Sequence, residues 1–79
     1  MGGVAYGRKV DESPDEVRYA FGATPELGEG VLVVPVADLD AWCVQGSPER
    51  PLSAQWVLVK ALRVRRTSGR WPERVAFRS

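Results

Sequence analysis

The chain has 79 residues, 44% hydrophobic and 27% charged, with one cysteine and no histidine. A lone Cys43 excludes an internal disulfide and a zinc site, and the absence of histidine excludes a Cys–His nucleophile pair within one subunit. The net charge of +1 hides a separation: residues 1–40 carry three cations and eight anions, residues 41–79 eight cations and two anions. Either the two halves pair inside one fold, or the basic half faces an anionic partner.

In chain order, Val4 to Val10 begins with alternation at Val4 and Tyr6 and reads as a strand, followed by a turn cluster over Asp11–Asp15. Glu16 to Gly22 has two readings. As a strand it aligns Val17, Tyr19 and Phe21 on one face; as a two-turn helix it would start from Ser13 as N-cap with Pro14 at the first helical position. The strand is preferred, because the preceding segment can pair with it as a hairpin. Residues 23–30 form a loop punctuated by Pro25, Gly28 and Gly30. Val31 to Val36 is β-branched and apolar on both faces, as a buried strand is, with Pro35 at an edge or bulge. Ala41 to Val44 reads as a short continuation or a further strand, and residues 45–52 as a loop.

Ser53 then caps the main helix, Ala54 to Arg66, which stops before Gly69. Ala54, Val57, Leu58, Ala61, Leu62 and Val64 share one broad face, while Trp56, Val59, Lys60, Arg63 and Arg66 share the other. A long strand alternating through Trp56, Leu58, Leu62 and Val64 is the rival; length, the Ser cap and the terminal glycine favour the helix. The tail alternates Val75 and Phe77 against Arg74, Ala76 and Arg78, as an edge strand does. The sum is a single small α+β domain over residues 1–79: an antiparallel sheet of three to five strands with the helix packed on one face. Apolar packing must stabilise it, helped by the three tryptophans and by any self-association, since a chain this short buries only roughly 60–65% of its unfolded surface.

The N-terminal ten residues hold no long apolar run, and the longest apolar stretch, Val31–Ala37, is broken by Pro35 and too short to span a bilayer. A cytoplasmic protein without a membrane partner is the expectation, in keeping with an unpaired cysteine. Residues Thr67-Ser68-Gly69-Arg70-Trp71-Pro72-Glu73-Arg74-Val75 lie in a C-terminal third that resembles the tails of small uncharacterised actinobacterial proteins. That resemblance implies no activity. The preference for Arg over Lys, with abundant Ala, Gly and Val, suits a bacterial high-GC genome.

The candidate partner- or nucleic-acid-binding residues are Trp56, Lys60, Arg63, Arg66, Arg70, Trp71 and Arg74. Cations displace counterions from phosphate and flat side chains stack on unpaired bases, so this stretch offers both parts of a nucleic-acid site. Read plainly, the same residues are the polar face that any amphipathic helix needs. Asp38 and Asp40 are paired carboxylates, but no third ligand, phosphate-cradling loop or histidine accompanies them, so a turn is the expectation. Cys43, between Trp42 and Val44, reads as an inert core thiol. No cofactor, metal, catalytic set or small-molecule substrate is indicated. The sequence therefore points to a non-enzymatic module binding a protein partner or itself, with a nucleic-acid-binding accessory protein as the alternative.

Overall fold

The computed structural model describes residues 3–78. The elements run β1 (Val4–Glu12), β2 (Glu16–Gly22), β3 (Gly30–Pro35), β4 (Cys43–Val44), α1 (Leu52–Ser68) and β5 (Arg74–Arg78), with a 3-10 turn at Leu39–Ala41. The strands form one antiparallel sheet in the order β4-β3-β2-β1-β5. The first four are a meander. The helix then crosses one face and delivers β5 to the far edge, beside β1.

Local chemistry sets the β1–β2 hairpin. The Ser13 hydroxyl oxygen accepts the backbone N–H groups of Asp15 and Glu16 at 3.3 and 3.2 Å. The interaction that would cap a helix at Ser13 closes a turn instead, because β1 is available for pairing. β1 also runs two residues further than expected, through Asp11 and Glu12. A register shift between Lys9 and Asp11 makes Val10 a bulge, which leaves it 50% exposed.

The helix is longer than its pattern implied, 52–68 rather than 54–66. Ser53 is not its cap. Pro51 holds that position without a side-chain bond, and the Ser53 hydroxyl donates to Glu29 Oε1 at 2.7 Å. At the other end Gly69 adopts φ 81° and its N–H donates to the Arg65 carbonyl at 2.8 Å. That left-handed conformation suits glycine and stops the helix as the sequence indicated.

The core lies between α1 and one face of the sheet. Val17, Tyr19 and Phe21 from β2, with Leu32 and Val34 from β3, meet Ala54, Val57, Leu58 and Ala61 of α1. β1 contributes small residues, Ala5 and Gly7, because the helix sits directly on it: a Cβ at Gly7 would lie 2.7 Å from Val57 Cγ1. The Tyr19 hydroxyl donates to the Pro72 carbonyl at 2.6 Å and ties the chain after α1 to the sheet. Burial pushes this phenol well above its ordinary range, with Glu12 and Glu73 adding to the shift. Cys43 is exposed, which corrects its reading as a core thiol. In the two-residue β4 only one side chain faces inward, and that one is Val44.

Candidate functional site

The structure divides the residues that the sequence grouped together. Lys60, Arg63 and Arg66 lie on the outer side of α1, half-buried in the case of Lys60 and exposed in the other two, and Arg70 is exposed just past the helix end. Trp56, expected on the solvent side, is half-buried: its indole stacks on Phe77 with ring centroids 5.4 Å apart and planes 13° from parallel. The edge strand β5 runs under that flank of the helix and covers it. Trp71, expected at a binding surface, belongs to the core at 7% exposure, with the Arg65 guanidinium 6.0 Å from its ring centre. Neither tryptophan is placed to stack on a ligand. Arg74 is exposed, but it alternates with the inward Val75 and therefore points from the opposite side of the sheet to α1.

The two charged halves do not neutralise each other at contact range. Among the described residues the ion pairs are Lys9–Glu12 at 2.6 Å, Lys9–Glu73 at 3.1 Å and Arg18–Glu16 at 2.5 Å. None involves Lys60, Arg63, Arg65, Arg66, Arg70, Arg74 or Arg78. The pair that joins the two halves takes its anion, Glu73, from the basic one. Arg50 is engaged differently, donating to the Asp40 carbonyl at 2.9 Å and lying 4.8 Å over the Trp42 ring. The remaining C-terminal cations are thus not consumed by carboxylates.

Two hollows flank β1. The first, of ≈ 600 Å³, is lined by Lys9, Glu12, Arg65, Arg70, Trp71 and Glu73 among others. Its Lys9 ammonium is held by Glu12, by Glu73 and by the Trp71 carbonyl at 3.4 Å, and the two carboxylates raise its pKa above the ordinary lysine value. This arrangement braces the β1–β2 turn against the chain after α1 and leaves Lys9 fully occupied.

The second hollow lies on the face of the sheet that α1 leaves uncovered. Strand register places side chains there in rows. Cys43, Val33, Arg18 and Asp11 form one; Val31, Ala20, Arg8 and Arg74 the next; Gly22, Tyr6 and Ala76 the third; Val4 and Arg78 the last. A cleft of ≈ 470 Å³ opens at the second and third rows, lined by Tyr6, Arg8, Arg74, Ala76, Pro25 and Leu27 and by the backbone at Gly7 and Val75. The β2–β3 loop forms its end wall. Leu27 packs over Gly22, where a Cβ would meet the Leu27 Cα at 3.0 Å, and it holds φ 61°, a conformation that branched residues rarely adopt. Bonds from Ala23 N–H to Glu29 Oε2 at 2.7 Å and from Glu29 N–H to the Phe21 carbonyl at 3.1 Å fix the loop in that shape.

Arg8 and Arg74 are direct cross-strand neighbours in this cleft, and no carboxylate lines it. Like charges placed opposite each other on a sheet, with Cβ atoms about 5 Å apart, are destabilising in the absence of an anion. The sequence held a partial signal for this surface: small residues at 5 and 7 mark the covered side of β1, so Val4, Tyr6 and Arg8 face away. Asp38 and Asp40 lie at the turn after β3, and no group of three metal-binding side chains forms among the described residues. Among those residues no helix is long and apolar enough to cross a membrane. No protein-family model matches the chain, and no similar curated protein or solved structure is found.

Proposed function

We propose that this chain is a non-enzymatic interaction module of the cytoplasm that binds an anionic partner on the open face of its sheet. The observation that carries this reading is the juxtaposition of Arg8 and Arg74, without a carboxylate, on a sheet face that no helix covers. A fold gains nothing from holding two such side chains together, whereas an anionic surface gains from both. The half-exposed Val31, Val33, Ala20 and Tyr6 beside them give a docked partner apolar area to bury. A second copy docked face to face would bring the two arginine groups together, which disfavours self-association there. Pairing of two β5 edges about Ala76 would set Arg74 against Arg78, with the same effect.

A second reading uses the helix. Lys60, Arg63 and Arg66 lie beside an exposed Val59 and a shallow hollow of ≈ 350 Å³ lined by Val59, Leu62 and Arg63. It suits phosphate contacts without base contacts.

Both are tested by titrating the protein into labelled single strands, duplexes and a polyglutamate peptide across a salt series. Binding that weakens steeply with salt is expected for at least one polyanion. No binding to any of them at low salt would overturn the anionic-partner reading.

A further inference from the structure

The cleft at Tyr6 offers more than positive charge. Charge alone would suit any acidic surface, yet here the arginine pair adjoins an aromatic ring and an apolar wall of Pro25 and Leu27. The Tyr6–Ala76 row and the Arg8–Arg74 row lie side by side on the same face. Successive rows on a sheet are about 7 Å apart, comparable with the separation between a base and its own phosphate. We propose that this cleft holds one nucleotide unit of a single-stranded nucleic acid, its phosphate between Arg8 and Arg74 and its base against the Tyr6 ring beside Leu27 and Pro25. This rests on the reading of the open sheet face as the interaction surface, and it names the partner.

Three features favour a single strand. Guanidinium groups on neighbouring strands suit the several oxygens of one phosphate, and Arg offers paired donors for them. An acidic peptide would satisfy the arginines but leave the ring and the loop wall without a flat partner. A duplex would present phosphate but keep its base faces stacked inside, whereas unpaired bases stack on exposed aromatic rings. Arg78 extends the positive track beyond the cleft along β5, about 13 Å from Arg74 along the strand. A free mononucleotide bound at the Arg8–Arg74 pair would not also reach Arg78, while a continuing strand would.

The test is fluorescence anisotropy of the full chain with a short labelled oligothymidylate, its duplex, and a labelled polyglutamate peptide, with unlabelled thymidine monophosphate as competitor. The single strand is expected to bind more tightly than the duplex or the peptide. Tyr6→Ala is expected to weaken it about tenfold, and Tyr6→Phe to restore most of the loss. Arg8→Ala with Arg74→Ala is expected to lower the slope of log K against log salt by about 1.4. Arg63→Ala with Arg66→Ala is expected to leave the affinity within about twofold of wild type, since those residues lie across the sheet. Circular dichroism confirms folding of each variant, and Tyr6→Phe and the arginine pair carry the test if Tyr6→Ala unfolds.

Single-strand binding that ignores Tyr6 and the arginine pair would overturn the inference. So would competition by thymidine monophosphate at the strand's own nucleotide concentration, which would make the ligand a free nucleotide. Equal or tighter binding of polyglutamate, lost with Arg8 and Arg74, would overturn the nucleotide inference while leaving the sheet face as the interaction surface. Failure of every polyanion to bind would overturn both.

Discussion

Leu32 and Val33 are neighbours on β3, yet one is fully buried under α1 and the other is half-exposed on the far side of the sheet. The same division holds for each strand. The covered face is built from Val17, Tyr19, Phe21, Leu32, Val34 and Val75, and Lys9, the cation at its margin, is ion-paired. The open face mixes Tyr6, Val31 and Val33 with four arginines; Arg18 pairs with Glu16, and among the described residues no ion pair holds Arg8, Arg74 or Arg78. Residues that fold the chain and residues available to a partner therefore alternate along the same few strands. A substitution one position away acts on a different property.

The strongest way to break this comparison is to truncate Leu32 and Val33 in turn. Leu32→Ala is expected to cost about 2–5 kcal/mol, enough to unfold much of so small a protein, while Val33→Ala costs less than about 1 kcal/mol. Urea denaturation of the two variants measures the difference, and similar losses would mean that the open face is covered in solution. Gly7→Val follows in size. The added carbon meets Val57 on the helix, and overpacking of that kind costs about 1–3 kcal/mol.

Tyr19→Phe removes the bond to the Pro72 carbonyl and is expected to cost about 1 kcal/mol. It also changes the alkaline limb of stability. Tyr19 and Lys9 both hold their protons more tightly folded than unfolded. Above about pH 10 the native state therefore binds more protons than the unfolded state, and stability falls as pH rises. In Tyr19→Phe the share of that fall due to the phenol is gone, which thermal melts at pH 8 and in the alkaline range read out. Smallest is Arg74→Glu, which replaces a like-charge neighbour of Arg8 with an opposite one. It is expected to stabilise the fold by about 0.2–1 kcal/mol while weakening anion binding, a separation of stability from binding that a structural role for Arg74 would not give.

Elements with strong local patterns are legible in the sequence alone. The β-branched run from Val31 marks β3 within a residue of its ends and Gly69 marks the helix stop, whereas Glu16–Gly22, which also reads as a two-turn helix, is a strand through its pairing with β1 and β3. Features set by distant partners are not. Ser53 resembles a cap, but Glu29 takes its hydroxyl. Trp56 falls on the polar side of a helical projection, between Arg63 and Lys60, and its burial comes from distant chain: Phe77 of β5 stacks on its ring and Gly3 lies against it. Trp71 beside Arg70 looks like a binding pair until the Tyr19–Pro72 bond draws that segment onto the core. The Arg8–Arg74 pair joins the two termini through strand register and has no local signature at all.

The most direct measurement is an amide chemical-shift titration of isotope-labelled protein with the oligothymidylate. Shifts concentrated at Tyr6, Gly7, Arg8, Ala20, Arg74 and Ala76, with α1 unmoved, are the expected result. Shifts concentrated at Lys60, Arg63, Arg66 and Arg70 would place binding on the helix and contradict the assignment of function to the open face of the sheet.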